Sequence, residues 1–481
     1  MRQSGAKDRL DRVGGLIAGA AALLLLSRAL LHFDDSWDGT SYHLTFAAFR
    51  AHILTPQHLQ PISNFLAEYS SYPRLLDIVR GYTWRMTGSI LILQTFNLVA
   101  IAVVVAFWRW RYALAIRWML IAVLAVPLIQ IGAPTLYVDI FVNCFFAIAV
   151  SAMTASFIER RFLDRSELIA SLCGLVIAAN AKPQFVTVGT AALGLLCVYQ
   201  LLALRRQAAG RHELLYFLGS AALAWLLVPM TAVHNIIAFG NPVYPVSISI
   251  FGHPLPGLFP PSAAWKVPDY LGHVPQPIRW LASILEYRAF DGREVPYTID
   301  QYHVIPVGVM ESLDLPRPPS HRMGGYFAPM VLGLLAWLAY FARTGTPRDY
   351  LRLTVPLLAT SAIAFLPGSN ELRYYSFWIL NLIFICFLIA QKTQADTVPF
   401  RGFLLIAFFS VGLITGFRSF DPTPYSVQDH IHKHGMDRVV TGRDLCFENR
   451  NRDTILFTEI FHHKGHYRVV DLDPGQHCPP Q

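Results

Sequence analysis

Asp34-Asp35-Ser36-Trp37-Asp38-Gly39-Thr40-Ser41-Tyr42-His43-Leu44 follows directly on the first long apolar segment of the chain. Ionisable side chains beside a membrane span are costly to keep unless they sit in a hydrated, protein-lined site. Three aspartates followed by Tyr-His therefore mark the mouth of a membrane-embedded site, and the rest of the chain has to be compatible with one.

The composition is. The chain has 481 residues, 54% of them hydrophobic and 15% charged, and its mean hydropathy is +0.41. Soluble domains carry roughly 25% charged residues. Leu, Ala, Ile, Val and Phe also gather in blocks near the roughly 20 residues needed to cross a hydrocarbon core. The expected fold class is an all-α polytopic membrane protein. The formal net charge of +8 invites a nucleic-acid reading, but the basic residues concentrate in short connectors between apolar blocks, at 2–12, 109–117, 160–165, 205–211 and 343–352. That is the pattern of cytoplasmic loops, so the charge reports topology and no nucleic-acid partner is expected. Cys144, Cys173, Cys197 and Cys386 fall within apolar spans, where packing is the default role. Cys446 and Cys478 lie in the polar tail, where a disulfide is permitted if the tail is outside the cytoplasm. The basic flank and apolar run at the N-terminus resemble a signal peptide. Ser27-Arg28-Ala29 is a poor small-residue cleavage site, however, so an uncleaved first span is expected.

Hydropathy and connector charge together predict about eleven spans. The first, Val13 to Leu31, enters from the cytoplasm, and the second covers about 88–107. The third and fourth meet outside at Gly132-Ala133-Pro134-Thr135, and the fourth ends at Arg160-Arg161. Residues 167–204 are too long for one span and break at Asn180-Ala181-Lys182-Pro183, where proline with a polar flank ends a helix. Further spans are expected at about 213–236, 326–343, 353–367, 373–391 and 400–417. This leaves a transmembrane domain, 1–417, with two large periplasmic loops at about 32–87 and 237–325, and a small periplasmic C-terminal region, 418–481. Ser41 to Ile53 and Arg74 to Arg85 read as amphipathic helices resting at the interface. In this topology every Arg-rich connector is cytoplasmic and every motif discussed next is on the outer side.

Asp38 stands four residues before Tyr42, so the two share a face if the stretch is helical. A carboxylate in such a pocket can take a proton from an acceptor hydroxyl or amine. The plainer role of Asp34, Asp35 and Asp38 is to cap the next helix and hydrate the loop, and Asp34 or Asp35 could also bind a cation. Tyr137-Val138-Asp139 begins the fourth span, where an aspartate favours the helix N-terminus and could orient Lys182 or Arg373 or help hold a metal. Lys182 at the helix break suits a lipid phosphate, or simply snorkels to the interface. Ser369-Asn370-Glu371-Leu372-Arg373-Tyr374-Tyr375 opens the tenth span. Glu371 and Arg373 are two residues apart and do not share a helix face, so one can reach lipid phosphate and the other a sugar hydroxyl; an interfacial Arg/Tyr anchor is the alternative. Arg74, in Tyr72-Pro73-Arg74, offers a further cation. Gly240-Asn241-Pro242-Val243-Tyr244-Pro245 reads as a turn that structure alone explains. The tail carries His430-Ile431-His432-Lys433-His434 and His462-His463-Lys464-Gly465-His466. Their density suggests metal binding, but the spacing matches no closed zinc site, and solvent-exposed loop histidines are expected.

The order of these motifs resembles the membrane glycosyltransferases of the GT-C superfamily, and looks most like bacterial relatives of the protein O-mannosyltransferases and lipid A aminoarabinose transferases. Asp38-Gly39-Thr40-Ser41-Tyr42 matches the Asp and Tyr of that group's first outer loop, with Gly39 where a Glu is common. Tyr137-Val138-Asp139 is similar to its second outer Asp, Asn180-Ala181-Lys182-Pro183 to its Lys at a helix break, and Glu371-Leu372-Arg373-Tyr374 to its late outer motif. Gly240 to Pro245 recurs in members with long second loops, and Tyr72 stands where the aminoarabinose transferases have a Lys beside Pro. The likeness spans most of 13–391. It implies a GT-C-like bundle in the bacterial cytoplasmic (inner) membrane and a periplasmic active site. The reaction it implies moves a sugar, with inversion, from a polyprenyl-phosphate donor to a glycan, lipid or protein acceptor of the cell envelope. On that reading Asp38 is the base, and Tyr42, His43, Arg74, Asp139, Lys182, Glu371, Arg373 and Tyr374 bind substrate or lipid phosphate. Asp35 and Asp139 are the candidates for a divalent metal, whose requirement stays open. A transporter or flippase for a lipid-linked sugar would need the cavity and its cations but no base. A non-catalytic assembly subunit would bind glycan through the two outer loops.

Overall fold

The computed structural model describes residues 2–36, 38–60, 63–207, 210–250, 252–260, 273–285, 327–343, 347–440, 443–448, 453–462, 466–472 and 476–478. Much of the expected second outer loop, and His463 to Gly465, lie outside the described residues. Helix α1 (Arg2–Leu31) leads through a turn and a π-helical stretch, Gly39–His43, into α2 (Leu44–Arg50), followed by β1 (Leu59–Gln60), α3 (Ser63–Ser71) and α4 (Leu75–Thr87). Then come α5 (Phe96–Tyr112), α6 (Ile116–Leu124), α7 (Pro127–Gly132), α8 (Asp139–Glu159), α9 (Arg165–Ala179), α10 (Pro183–Arg206), α11 (Arg211–Leu227) and α12 (Met230–Phe239). A short hairpin, β2 (Ile248–Ile250) and β3 (His253–Leu255), precedes α13 (Gln276–Leu285) and α14 (Phe327–Ala342). The bundle closes with α15 (Pro347–Ser361), α16 (Phe377–Lys392) and α17 (Val398–Ile414).

Among the described residues, five stretches are long and apolar enough to cross a membrane: Asp8–Leu31, Leu91–Tyr112, Asp139–Glu159, Pro183–Arg206 and Arg211–Phe239. Ala328–Ala342, Arg352–Phe365, Phe377–Lys392 and Val398–Leu413 are shorter apolar helices. Helix α8 is central, with 78% of its apolar window buried, against 28% for α1 and 22% for α11–α12. On the peripheral helices Leu16, Leu226 and Ile237 are 75%, 72% and 81% exposed, an apolar rim that lipid rather than water covers. Proline governs the helix breaks, because it lacks the N–H that would continue the ladder. The expected break falls between Ala179 and Pro183. Two spans read as continuous are also broken, at Pro127 and at Pro229.

The two ends of the bundle differ in charge chemistry. At one end Arg111 pairs with Asp164 and with Glu167 (3.0 Å), Arg161 with Glu159 (2.6 Å) and Glu167, Lys392 with Glu159 (2.8 Å), and Arg401 with Asp11 (2.7 Å). The connectors at 2–12, 109–117 and 160–165 therefore meet on one side. Asp139 starts α8 and Glu159 ends it, about 30 Å away by helical rise.

The tail is built into the first loop. Strands β4 (Leu445–Glu448) and β5 (Val469–Leu472) pair in parallel, and β5 pairs in parallel with β1, giving the order β1-β5-β4. Phe33, Leu44, Leu59 and Trp84 of the loop share one core with Ile431, Met436, Leu456 and Val469 of the tail. A disulfide joins Cys446 and Cys478. The tail also carries α18 (Val427–Lys433) and α19 (Met436–Val439). His430 and His462 are buried, against the expectation of exposed loop histidines: both sit where the tail packs on the loop or on itself, His462 bonding the Leu456 carbonyl (2.8 Å).

Candidate active site

The opening motif is shaped by a buried carboxylate. Asp34 accepts hydrogen bonds from the Leu136 N–H (2.6 Å), the Ser36 hydroxyl (2.7 Å) and the Ser36 N–H (3.2 Å). It thereby pins the turn after α1 to the turn before α8. Burial pushes its pKa up to about 6, with these hydrogen bonds opposing the rise. Gly39 sits in the angle between the two turns. A Cβ there would stand 2.5 Å from Ser36 Oγ and 3.0 Å from Leu136 Cβ. Beyond it the backbone winds as a π-helix, and Asp38 and Tyr42 both face one cavity.

The other site segments are helix starts, each tied down by a buried asparagine. Asn97 donates to the carbonyls of Gly132, Thr135 and Tyr137 (3.0, 3.0 and 2.8 Å) and accepts from the Phe141 N–H (3.2 Å). That holds the turn leading to Asp139. Asn143, one turn into α8, donates to the Asp139 and Arg373 carbonyls (2.8 and 3.0 Å) and accepts from the Phe377 N–H (2.8 Å). It fixes the start of α16 against α8. Asn180 bonds the Val176 and Leu227 carbonyls (both 2.9 Å), while its own carbonyl accepts from the Leu75 N–H (2.9 Å). Asn235 reaches the Ser71 and Tyr244 carbonyls (3.1 and 3.3 Å). Buried irregular backbone must find partners somewhere, and these side chains supply them.

The result is a cavity of about 520 Å³. Asp38, Tyr42, His43, Lys182, Arg373 and Tyr374 line it, and apolar wall is supplied by Val186, Val188, Ile248, Phe259 and Leu366 among others. The charges form a chain. Arg373 Nη1 donates to Asp38 Oδ2 (3.0 Å) and lies 4.0 Å from Asp139 Oδ2, and Lys182 pairs with Asp139 Oδ1. Glu371 Oε2 is 4.0 Å from Arg373 Nε. The guanidinium stands over the rings of Tyr137 (4.9 Å) and Tyr374 (5.2 Å), and the Lys182 ammonium over Tyr374 (4.4 Å). Burial opposes both cations. For Arg373 the carboxylates, Asp38 first, outweigh that and hold its pKa well above the usual range. For Lys182 burial wins over Asp139 and the pKa is lowered.

Of the other residues singled out in the sequence, Asp139 and Glu371 stand behind the cavity wall, bracing its cations. Arg74 is exposed and outside the wall, bonded to the Ser70 carbonyl (2.9 Å) and His234 (3.0 Å), although its neighbours Tyr72 and Pro73 line it. Asp35 turns away towards the tail, with Oδ2 3.7 Å from His430 Nδ1. The Gly240–Pro245 element, read as a turn alone, supplies Pro242 to Pro245 to the wall. Charged residues were also passed over in the sequence: Glu68, which lines the cavity, and Asp77 and Arg80 on α4. Asp77 Oδ1 is 3.5 Å from His43 Nδ1, and Arg80 donates to the Leu136 carbonyl (2.7 Å). Burial lowers the Arg80 pKa to about 10, with Asp77 and Asp34 opposing. Asp77 and Arg80 both lie on the buried stripe of α4, Asp77-Arg80-Gly81-Trp84. Charged residues at helical spacing around an inward glycine and tryptophan were the legible signal.

Fold and site together define a multi-pass helical membrane protein with a charged, partly apolar cavity at one end of its bundle. Among solved structures the chain is similar to that of ArnT from Cupriavidus metallidurans bound to undecaprenyl phosphate, with 14% identity, 94% of this chain and 85% of that chain covered, and a TM-score of 0.48. It is also similar to ArnT from the same organism in the apo state, with 14% identity, coverage of 96% and 86%, and a TM-score of 0.37. No family model and no curated protein matches the sequence.

Proposed function

We propose that this protein is an inverting glycosyltransferase of the bacterial inner membrane. It moves a sugar from a polyprenyl-phosphate donor to a cell-envelope acceptor at the periplasmic face, through a bundle of about eleven spans. The observation that carries this reading is one cavity holding the Asp38 carboxylate beside two cations, the buried Lys182 and the partly buried Arg373, against apolar wall. The Cys446–Cys478 disulfide supports a tail outside the cytoplasm.

The chemistry is a single displacement. Asp38 accepts the proton of the acceptor hydroxyl or amine as that atom attacks the anomeric carbon. The bond from that carbon to the phosphate oxygen breaks, and polyprenyl phosphate leaves carrying one more negative charge. Arg373 and Lys182 stabilise that developing charge, the kind of contribution that is usually largest in such sites. Lys182 has three N–H donors and shares one with Asp139. Arg373 bonds Asp38 directly, so a donor phosphate that recruits the guanidinium leaves the carboxylate to take the acceptor's proton. The apolar wall suits the prenyl chain, and Tyr42 and Tyr374 offer flat faces to a sugar.

Membranes carrying wild-type protein or Asp38→Asn, supplied with a mixed polyprenyl-phosphate-sugar pool, test this by mass spectrometry of donors consumed and glycans formed. The variant is expected to express normally and to transfer at least about 100-fold more slowly. Equal transfer by the two removes Asp38 as base, and no transfer by either moves the protein to transport or assembly. Arg373→Lys keeps the charge but loses the planar fork whose Nη1 faces Asp38 and Asp139 and whose Nε faces Glu371. It is expected to raise the apparent KM for donor and lower kcat as well.

A further inference from the structure

We propose that Asp35, His430 and His434 bind a divalent metal ion of the zinc type, clamping the turn that carries Asp38 to the C-terminal tail. His430 and His434 are four residues apart at the end of α18, so they share a helix face, and their ring centroids are 4.4 Å apart. Asp35 arrives from the opposite side, on the turn after α1, with Oδ2 3.7 Å from His430 Nδ1. One ligand atom from each of the three lies within 4.8 Å of the other two. Ligands on a tetrahedral zinc ion, with bonds of about 2.0–2.1 Å, stand about 3.3 Å from one another. Small side-chain rotations cover the difference.

The surroundings are built for it. His430 is 1% exposed, and its Nε2 is buried with no hydrogen-bond partner, 4.0 Å from Asp453 Oδ2. Each ring nitrogen thus faces a carboxylate: Nδ1 faces Asp35 and Nε2 faces Asp453. A carboxylate behind the distal nitrogen is the usual means of orienting a ligating histidine. The Tyr425 hydroxyl stands 3.1 Å from Nδ1, and Phe33 packs edge-on against the ring (5.5 Å between centroids). Lys433, between the two histidines in the chain, lies over the Tyr425 ring at 5.5 Å. One dication serves both rings and Asp35. Water completes the coordination, because the rim of the site at Asp35 and His434 is open to solvent. His432, on the same short helix, points away and pairs with Asp437 (3.3 Å) at 81% side-chain exposure.

Full-length protein in detergent, stripped with a chelator and titrated with zinc sulfate in a calorimeter, is expected to bind one equivalent and to melt several degrees higher. His434→Asn and Asp35→Asn change solvent-facing positions and are expected to fold. Each is expected to weaken zinc binding at least about tenfold, while His432→Asn leaves it unchanged. Absence of saturable zinc binding by the wild-type chain overturns the proposal. Equal affinity in His434→Asn and wild type, or equal loss in His432→Asn, overturns it as well.

Discussion

Gly39 is the residue on which the opening motif turns. Its position admits no side chain, because Ser36 Oγ and Leu136 Cβ occupy the space. Gly39→Ala is expected to destabilise the protein by about 1–3 kcal/mol, read as a lower melting temperature in detergent. Gly39→Glu, the residue common in the resembling families, is expected to cost more still. Asp34 makes a pH-dependent contribution of definite sign. Its pKa lies near 6 in the folded protein, above its ordinary value of 3.8, so the folded state binds the proton more tightly. Stability from this group is therefore greatest below about pH 4 and declines as pH rises to about 6, by at most about 3 kcal/mol. Asp34→Asn is expected to flatten the melting-temperature profile over that interval. An unchanged slope would show that other carboxylates dominate it.

At the scale of elements, the site is a set of helix starts held by asparagines. Asn143 connects α8 to the turn carrying Arg373 through two close hydrogen bonds, to the Arg373 carbonyl and from the Phe377 N–H, and also bonds the Asp139 carbonyl of its own helix. Asn143→Ala leaves buried backbone groups without partners, at an expected cost of about 2–4 kcal/mol. If Arg373 acts on the donor phosphate, the variant should also lose donor affinity at temperatures where it is still folded. The close crossing of α2 and α4 has a similar local cause. A Cβ on Gly81 would lie 2.1 Å from the Ala47 carbonyl oxygen, so glycine sets how near Asp77 and Arg80 come to the Asp38–His43 segment. The amphipathic pattern of α4 was legible as an interfacial helix, but which of its faces turns inward was not. Burying Asp77 and Arg80 depends on partners, His43 and the Leu136 carbonyl, that come from elsewhere in the chain.

Across the whole molecule, the two charged ends can be separated experimentally. Glu167 is fully buried at the end away from the cavity, bound by Arg111, Arg161 and the Tyr112 hydroxyl (3.0 Å). Glu167→Gln removes the buried charge shared by two partly exposed guanidinium groups, which keep Asp164 and Glu159 as partners, with an expected loss of about 1–3 kcal/mol. With the cavity about 30 Å distant along α8, transfer per folded molecule is expected to be unchanged. A fall in turnover without a fall in melting temperature would contradict that separation.

Some of this was decided by local sequence. The helical membrane class, the side on which the arginines gather and the break at Pro183 follow from hydropathy, connector charge and a missing N–H, each a property of a short stretch of chain. The grouping of Asp38, Lys182 and Arg373 was anticipated by parity: all three motifs had to fall at the same end of the bundle. Tertiary structure alone decided that Asp139 braces Lys182 rather than facing the cavity, that Arg74 stays outside it, and that Asp35 turns to the tail. It also decided that β1 of the first loop pairs with β5 of the tail, burying histidines that the sequence shows only as a polar cluster. These outcomes depend on contacts between residues separated by tens to hundreds of positions, where the partner for a charge is chosen by packing and by the cost of leaving it alone in a buried place.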